Sequence, residues 1–441
     1  MNAMFRSFAV ANYRLWFAGA LVSNVGTWMQ RVAQDWLVLT QLTDDDATAV
    51  GVTMALQFGP ALALLPVTGL VADRFDRRRI LIVTQVAMAA LGLGLAAITL
   101  TGVATLWLVY AFALGLGVAA AFDAPARQAF VSELVPTAYL TNAVSLNSAS
   151  FNAARLVGPA VAGLLVAWVG VGWVFLINAV TFGAVLLSLA LLRPAEFTSF
   201  ARPPRAPGQL LGGFRYVRRR PDIVLVFAMI ALLGTIGFNF PIFISAMARI
   251  EFGEGAGEFG VLSSVIAIGS VTGALLSARR ERPRLRIITL AALGFGTALT
   301  AAALTPNAWT FGVALVVVGF AGLTTMTTAN AYVQTTTAPA MRGRVMALYL
   351  SIFMGGTVIG APLLGWIADT AGPRWSLATG AASGIVAAGI AAAFWIRTRG
   401  VRLAWDAERR WPLSLSYGNG SEADRELATT EIAVVESQTQ R

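Results

Sequence analysis

Long apolar stretches alternate with short polar connections from about residue 15 to residue 396. A helix needs about 20 mostly apolar residues to cross the hydrocarbon core of a bilayer, which is about 30 Å thick. Twelve stretches reach that length, so the pattern predicts an all-α membrane protein with 12 transmembrane helices. The predicted spans are Leu15–Thr40, Ala49–Ala72, Ile80–Thr101, Ala104–Gln128, Asn142–Val169, Gly172–Leu192, Ile223–Met247, Gly257–Ser277, Ile287–Leu304, Ala308–Gln334, Gly343–Ala368 and Trp375–Ile396.

The longest connection between spans runs from residue 193 to residue 221 and is rich in Pro and Arg. It divides the chain into one predicted six-helix bundle at 1–192 and another at 222–396. Within it, Gln209–Arg219 has the pattern of a short amphipathic helix that lies on the membrane. The polar tail at 397–441 is predicted to be disordered, because it has too few apolar residues in sequence to form a core.

Two proline spacings indicate that the two bundles are repeats of each other. Pro136 and Pro339 are 203 residues apart, and Pro159 and Pro362 are also 203 residues apart. Each pair flanks a span of matching length. Together with the division into six and six spans, this predicts two parallel, pseudo-symmetric halves.

Composition supports the membrane assignment and narrows the chemistry. The chain is 57% hydrophobic and 12% charged, whereas a soluble protein is about 25% charged. It contains no Cys and no His, so disulfides, thiol nucleophiles, histidine bases and Cys/His metal sites are excluded. There is also no phosphate-binding loop of the G-x-x-x-x-G-K-[ST] type, which argues against ATP as the energy source. We expect no metal and no cofactor.

The charged residues are distributed unevenly between the connections. All 32 basic residues are Arg, and the net charge is +10. Arginines concentrate in alternate connections, which by the positive-inside rule face the cytoplasm, so both termini are predicted to be cytoplasmic. The expected location is a bacterial inner membrane, with the arginines facing anionic lipid rather than nucleic acid. The Arg-rich connections are Arg74–Arg79, Arg193–Arg220, Arg279–Arg286, Arg342–Arg344 and the tail after Arg397.

The densest charge cluster lies between spans 2 and 3, in the stretch GLVADRFDRRRIL at residues 69–81. A single charge at a helix centre costs about 2.5–3.5 kcal/mol on insertion scales, so six charges within seven positions can only form a tight connection at the membrane surface. The simplest interpretation is a topology anchor.

The same stretch resembles the connection between helices 2 and 3 of the major facilitator superfamily, whose pattern is roughly G-x-L-a-D-R-x-G-R-R. Asp76 departs from it, because most members have Gly there. The resemblance implies the major facilitator fold and a cytoplasmic lock, in which Asp73 caps the start of span 11 near Arg344 and Arg77 reaches Asp123 when that side is closed. The expected lock residues are Gly69, Asp73, Arg74, Arg77, Arg78 and Asp123.

Polar residues inside the first bundle are the main candidates for coupling chemistry, because each is costly in a membrane. Arg31 and Asp35 share a helical face with Gln34 nearby. Two interpretations remain open: a local ion pair, or a proton-linked carboxylate at Asp35. The further candidates are Arg127, which resembles a span-4 arginine of proton-coupled superfamily members, with Asn152 and with Arg155, which has no carboxylate in its own span.

The second bundle has polar but uncharged candidates for binding a substrate. Asn239 lies in span 7, and Asn330, Tyr332 and Gln334 lie in span 10. Such residues also commonly hold transmembrane helices together, so each is an individually weak signal.

Span 5 contains Gly158, Pro159 and Gly163, and Pro362 holds the corresponding place in span 11. Proline inside a helix removes a hydrogen bond and bends it, and glycine allows close helix contact. The simplest interpretation is a packing kink. The first stretch also resembles the span-5 GPxxGG motif of superfamily antiporters, except that Ala162 replaces its first closing Gly.

The segments Asn12–Thr43 and Ala121–Pro136 resemble the bacterial branch of the superfamily that includes enterobactin-type siderophore exporters and macrolide efflux proteins. The resemblance implies a monomeric secondary transporter that exports an amphipathic small molecule in exchange for protons, and not an enzyme. The alternatives are an importer of the same fold and a non-transporting membrane receptor or enzyme.

Overall fold

The computed structural model describes residues 3–197, 209–278, 283–399, 402–405 and 413–416. The chain forms helices almost throughout. Its α-helices are α1 (Ala11–Leu37), α2 (Ala47–Ala63), α3 (Leu65–Arg74), α4 (Arg77–Leu100), α5 (Leu106–Leu134), α6 (Thr137–Val169), α7 (Val171–Leu191), α8 (Gln209–Arg218), α9 (Pro221–Leu232), α10 (Phe240–Ala246), α11 (Ala256–Ala278), α12 (Leu285–Ala303), α13 (Ala308–Thr336), α14 (Pro339–Ala371) and α15 (Pro373–Arg399).

Shorter helical segments extend or precede several of these helices. The 3-10 segments are Ala3–Ala9 and Pro194–Glu196, and the π-helical segments are Val38–Leu42, Leu233–Gly237 and Met247–Glu251. Two short strands after α15, β1 (Arg402–Trp405) and β2 (Leu413–Ser416), pair in antiparallel register. The prediction of a disordered tail otherwise falls outside the described residues.

Ten helical segments of the described chain are long and apolar enough to cross a membrane. The multi-pass prediction is therefore confirmed, while the count of 12 stays a prediction. Span 1 corresponds to α1, which has 27 residues but carries several polar and charged side chains. Span 2 is divided between α2 and α3, so neither piece alone has the length of a full span.

Two predicted spans are interrupted. In span 2 the helix breaks at Leu64, whose φ and ψ are −93° and 2°, because Pro66 has no N–H with which to continue the hydrogen-bond ladder. In span 7, α9 passes into a π-helical segment, and α10 restarts after Asn239 with Pro241 in its first turn. The apolar pattern did not reveal these breaks, since hydropathy reports the polarity of side chains and not the hydrogen bonding of the backbone.

The repeat predicted from proline spacing is visible in the helix boundaries. The helices α5, α6 and α7 begin at Leu106, Thr137 and Val171, and α13, α14 and α15 begin 202 residues later in each case, at Ala308, Pro339 and Pro373. Glycines with positive φ end both long helices, Gly170 after α6 and Gly372 after α14. The repeat is thus confirmed, while the division into bundles at 1–192 and 222–396 stays a prediction. We call α1–α7 the first half and α9–α15 the second half.

The ends of the helices define two sides of the molecule. We call the side with the N-terminus, the α3–α4 connection and α8 the terminal side, and the opposite side the distal side. On the terminal side Ser7 is hydrogen-bonded to Asn142, with 2.9 Å between the backbone N of Ser7 and Oδ1. On the distal side Arg374 forms an ion pair of 2.8 Å with Glu251.

The linker helix α8 confirms the prediction of a short helix at Gln209–Arg219 within one residue. One face packs on α14: a side chain added at Gly213 would meet Arg344 and Leu348. The hydroxyl oxygen of Tyr216 accepts a hydrogen bond of 3.2 Å from the backbone N–H of Ala338. The opposite face exposes Phe214, which is 63% accessible. This helix is therefore anchored to the second half.

The halves contact each other through α2 with α14 and through α6 with α11. A Cβ at Gly163 on α6 would collide with Gly260 on α11, and a Cβ at Gly365 on α14 would collide with Ala47 at the start of α2. Toward the terminal side, α6 instead exposes Ser145, Ser148 and Asn152. Polar residues on the face of a membrane helix indicate a water-filled space. The structure is closed on the distal side and open on the terminal side.

Candidate functional site

An arginine–aromatic cluster lies where the two halves meet, formed by Trp28 and Arg31 on α1, Phe58 on α2, Arg155 on α6 and Phe353 on α14. The guanidinium carbon of Arg31 lies 4.5 Å from the ring centre of Phe58 and 5.1 Å from that of Trp28. The guanidinium carbon of Arg155 lies 5.9 Å from the ring centre of Phe353 and 6.0 Å from that of Trp28. Both cations therefore flank one indole, and Arg155 reaches a ring of the other half.

Asp35 lies one helical turn from Arg31 and is only 5% exposed. Its Oδ1 accepts a hydrogen bond from Nε2 of Gln57 at 3.2 Å. No direct ion pair joins it to Arg31 in the described chain, because that guanidinium group is turned toward the rings of Trp28 and Phe58. Asp35 is therefore a buried carboxylate that accepts a hydrogen bond from an amide, and the choice between a charge pair with Arg31 and a proton-linked carboxylate stays open.

A small cavity within the first half is lined by Gln57, the hydrogen-bond partner of Asp35, and by Gln30, Arg31 and Gln34. Its volume is about 20 Å³, which is room for roughly one or two water molecules. Gln34 lines it and donates to the carbonyl oxygen of Val109 at 3.0 Å. The Nε2 atom of Gln30 and the Oε1 atom of Gln57 have no partner among the described residues. Water in the cavity would satisfy both amides and connect them to the Asp35 site.

Asp123 and Arg127 form a second buried polar group, on the terminal side of α5. Nε of Arg127 lies 2.8 Å from Oδ2 of Asp123. Oδ1 of Asp123 accepts from Thr84 at 2.9 Å and from Gln85 at 2.7 Å. The guanidinium group also lies over Trp16, 5.5 Å from its ring centre. Both carboxylate oxygens of Asp123 are paired, whereas Nη1 of Arg127 is buried without a partner among the described residues. The role of Arg127 in proton coupling stays a prediction.

The charged connection between α3 and α4 is held mainly by contacts within the first half. Nη1 of Arg77 pairs with Oε1 of Glu133 at 2.5 Å, and Arg78 donates twice to the carbonyl oxygen of Leu189. Asp123 was the predicted partner of Arg77 in the closed state. Since the terminal side is open here, that contact stays a prediction for the closed state, and the open-state partner is Glu133.

The remaining residues of the charged connection are partly described. Asp76 caps α4 by accepting from the backbone N–H of Arg79 at 2.8 Å, which gives this departure from the superfamily pattern a local role. Arg74 is exposed, and Gly69 is partly buried near the end of α3. The side chain of Asp73 lies outside the described part of the structure, so its capping contact stays a prediction.

The second-half candidates do not form one surface. Asn239 is fully buried at the break before α10, where its Nδ2 donates to the carbonyl oxygen of Thr235 at 2.7 Å. Tyr332 is 3% exposed and donates to Asp222 at 3.0 Å. Both residues are buried and hydrogen-bonded inside the bundle in this state, and their place in a substrate cavity stays a prediction.

Asn330 and Gln334 do face outward on the terminal half of α13. Gln334 is exposed, and its Nε2 donates to Oδ1 of Asn330 at 2.6 Å. On α6, Asn152 is also exposed and donates to the carbonyl oxygen of Ser148 at 2.9 Å. These three residues are placed where a molecule entering from the terminal side could meet them.

The predicted kink residues act through close contact. The helices α6 and α14 run without interruption through Pro159 and Pro362. A Cβ at Gly158 would lie 2.5 Å from the Cβ atom of Trp28. Gly163 meets Gly260 backbone to backbone across the halves. Both glycines thus lie at close helix contacts, while the interruptions of the helical path occur elsewhere, in spans 2 and 7.

The distal side is closed by a helix cap that crosses between the halves. Asp369, near the end of α14, accepts from the backbone N–H groups of Ala47 and Thr48 at 2.8 and 2.7 Å. It also accepts from the hydroxyl group of Thr48. An ion pair of 2.8 Å between Arg249 and Asp45 adds a second cross-link beside it. We call these contacts the distal lock.

Asp46 makes the distal lock sensitive to pH. Burial raises the pKa of Asp46 and the nearby charge of Asp369 raises it further, against the hydrogen bond from Ala49, which lowers it. Separating the halves removes the Asp369 charge, so the closed state binds the proton more tightly. Closure is therefore expected to strengthen as the pH falls from neutral toward the raised pKa of Asp46.

A distance between spin labels at Gln41 and Thr370, measured across this pH range, checks the expectation. Both positions are exposed on the distal side. Asp46→Asn keeps a good capping residue but should remove the response. A response of equal size in Asp46→Asn would assign the titration to another group, with Asp369, Asp45, Asp44 and Tyr110 as the neighbours to examine.

The close contact between α2 and α14 gives a matched pair of glycine substitutions. A Cβ at Gly51 would lie 2.7 Å from the Cα atom of Pro362, whereas at Gly59, on the same helix, its nearest neighbour is Cγ1 of Val358 at 3.7 Å. Gly51→Ala is expected to destabilise the closed distal side by about 1–3 kcal/mol. Gly59→Ala should leave it unchanged. The same label distance would report this, and equal effects from both variants would count against the steric explanation.

Several residues of the site were not predicted from the sequence. Gln57 and Asp369 had a signal, because each is a polar residue at or within an apolar span, the criterion that selected Gln34. No sequence signal pointed to Trp28, Phe58 and Phe353, since aromatic residues are common in spans. Only the assembled fold brings these three rings together.

Comparison of the sequence with protein families agrees with this arrangement of two repeated helical halves that meet at buried polar residues. The family model described as transmembrane secretion effector matches residues 3–416. The chain belongs to the transmembrane secretion effector family. This family is part of the major facilitator superfamily, so the resemblance seen in the charged connection is confirmed.

Curated relatives of this family member are transporters of low sequence identity. It is 24% identical over 367 residues to the staphyloferrin A transporter of Staphylococcus aureus, which covers 81% of this chain and 90% of that protein. It is 30% identical over 194 residues to the enterobactin exporter of Shigella boydii, covering 41% of this chain and 44% of that protein. The second match thus spans less than half of either chain.

A solved structure agrees with the fold. A bacterial homologue of the human lysosomal transporter Spinster, in an inward-facing and unoccupied conformation, superposes with a TM-score of 0.68 at 15% identity. The match covers 86% of this chain and 96% of that one. At this identity the likeness concerns the fold alone, and it confirms the major facilitator arrangement for this secretion effector family member.

Proposed function

We propose that the protein is a proton-coupled exporter of an amphipathic small molecule that works by alternating access. The observation that supports this most directly is Asp35: a carboxylate buried among helices of a secretion effector family member, held by Gln57 and without a direct cationic partner in the described chain. Intramembrane carboxylates are costly, and they mark ion and proton pathways.

The residues around Asp35 have separate roles in this proposal. Asp35 takes up and releases the proton, while Gln34 and the small cavity carry the water through which the proton arrives. Arg31 balances the Asp35 charge from one turn away. Asn152, Asn330 and Gln334 meet the substrate at the open terminal side, and Arg127 with Asp123 stiffens the helix that supports that side.

Alternating access follows from two caps that exclude each other. In the distal lock, Asp369 at the end of span 11 caps the start of α2. By analogy with the other half, we propose that Asp73, at the end of span 2, caps the start of α14 when the terminal side closes. Each cap is worth about 0.3–1 kcal/mol at an exposed surface and up to about 2 when partly buried, so neither state is trapped.

The proposed orientation places the terminal side in the cytoplasm, with both termini, the linker 193–221 and the tail 397–441. Arg77, Arg78 and the arginines of α8 lie on that side, as the positive-inside rule requires. The state seen here then faces inward, ready to accept a substrate from the cytoplasm. We propose a monomer as the working unit.

Transport by purified protein in liposomes tests the function. With the inside of the liposome acidic, dyes, macrolides and siderophore precursors would be offered outside, and accumulation should follow proton release and stop when a protonophore collapses the gradient. Molecules oriented with their terminal side outward carry the signal. Movement of substrate together with protons, in the same direction, would assign an importer instead. A gradient without effect on any compound of the panel would contradict proton coupling.

A further inference from the structure

The arginine–aromatic cluster contains more positive charge than the first half balances. Arg31 has Asp35 one helical turn away on α1. Arg155, on α6, forms no ion pair with any described carboxylate, while the described ion pairs use other arginines. When Asp35 is ionised, the cluster therefore keeps one uncompensated positive charge at Arg155.

Aromatic contacts compensate that charge only in part. The Arg155 guanidinium carbon sits at 5.9 and 6.0 Å from its two ring centres, near the outer limit for a cation–π contact. No hydrogen bond from the Arg155 guanidinium group to a described residue is present, so its five N–H donors are left for water or a ligand. A guanidinium group kept in this condition between two helical halves is suited to receive an anion.

The position of Arg155 makes it reachable from one side. On α6 the exposed residues Ser145, Ser148 and Asn152 lead along the helix toward it from the terminal side. Beyond it, Gly158 packs on Trp28 and Gly163 packs on Gly260, which closes the path to the distal side. Arg155 therefore lies at the inner end of the open cleft, with apolar rings around it.

We propose that this cluster is the substrate-binding site and selects an anionic amphipathic molecule, whose acidic group pairs with Arg155 and whose apolar part packs on Trp28, Phe151 and Phe353. This names the substrate class and so rests on the proposed function. The ring contacts already present, such as the 5.9 Å separation of the Trp28 and Phe151 centres, supply the apolar wall. An anion leaving the cytoplasm also moves with the membrane potential, so its charge assists export.

Two dyes that differ in one group test the proposal. Anilinonaphthalene sulfonate carries an anionic sulfonate, and N-phenylnaphthylamine is its uncharged analogue. Binding to the full chain in phosphatidylcholine nanodiscs, corrected with empty nanodiscs, should favour the anionic dye. Arg155→Gln should weaken anionic dye binding by about tenfold or more, Arg155→Lys should restore part of it, and neither should alter binding of the neutral dye.

Arg342→Gln is the matched control, because it removes the same charge from an exposed position at the start of α14 and should bind both dyes as the unsubstituted chain does. Equal binding of the two dyes by the unsubstituted chain would overturn the proposal even if Arg155→Gln fails to fold. An unchanged preference in Arg155→Gln would overturn it as well. So would loss of anionic dye binding in phosphatidylglycerol nanodiscs, since a lipid headgroup would then be the occupant.

The binding measurement separates this proposal from the proposed function, because it needs no gradient and no transport. Proton-driven export without an Arg155-dependent preference for the anion would contradict the proposed substrate class and leave the proposed function intact. Anion binding at Arg155 without proton-driven movement would contradict the proposed transport mechanism and leave the proposed binding site intact.

Discussion

Asp35→Asn is expected to reduce proton-driven transport to the level of protein-free liposomes, while substrate binding remains measurable. The asparagine side chain has nearly the same size and can still meet Gln57, which now donates to Asp35 at 3.2 Å, so the local packing should survive. It cannot exchange a proton near neutral pH. Transport driven by a pH gradient and equilibrium binding, measured on the same preparation, give the two results that this prediction separates.

Two further variants define what the first result means. Asp44→Asn removes an exposed carboxylate from the connection before α2 and should transport normally. If Asp35 served only to neutralise Arg31, the double variant Arg31→Gln with Asp35→Asn would recover the lost activity. The absence of a direct contact between the two side chains leads us to expect no recovery. Full proton-coupled transport by Asp35→Asn alone would exclude the residue from coupling.

Asp369→Asn is expected to shift the protein toward states that are open on the distal side. The substitution removes the negative charge that accepts from two backbone N–H groups and one hydroxyl group at the start of α2. A carboxylate at such a helix terminus contributes about 0.3–1 kcal/mol when exposed and up to about 2 in partly buried geometry. A loss of about 1.4 kcal/mol is a tenfold change in the ratio of closed to open molecules.

The label pair at Gln41 and Thr370 measures this shift directly, as a growing population at longer distance. Arg249→Gln should add to it, because the ion pair with Asp45 joins the same two halves at 2.8 Å. Arg374→Gln is the matched control, since its partner Glu251 lies in the same half. If Asp369→Asn leaves both the distance distribution and the transport rate unchanged, the cross-half cap has no role in the cycle.

Patterns in the sequence were sufficient to predict a multi-pass helical protein with an internal repeat. Apolar stretches of membrane length, an arginine-rich connection near the middle and a proline spacing of 203 residues predicted two repeated helical halves, and the helix boundaries repeat at 202 residues. The reason is that a bilayer forces every backbone group to be satisfied within its own helix. Span length and position can therefore be read locally, without knowledge of the neighbours.

Local sequence was also sufficient where a residue acts on its own helix. The amphipathic linker helix was placed within one residue of its observed end. Gly158 and Gly163 were expected at close helix contacts and are found there. The helix breaks at Leu64 and Asn239 were missed although Pro66 and Pro241 were visible, because Pro159 and Pro362 show that proline in a membrane helix does not always interrupt it.

The partners of the charged residues were decided only by the tertiary structure. Arg31 shares a helical face with Asp35 but turns to Trp28 and Phe58, since two aromatic rings from separate helices enclose its guanidinium group. Nothing in the spacing of α1 could show this.

The distal lock is the clearest case of a contact that the sequence could not show. Asp369 and Thr48 are 321 residues apart in sequence and within hydrogen-bonding distance in the fold. Such a contact arises from how two halves dock, which no local pattern encodes. Sequence thus determined that the chain is a multi-pass helical protein and where the unusual charges lie, because insertion cost acts on each residue separately. The packing of the two halves decided which charged residues contact each other, because such contacts depend on the relative placement of whole helices.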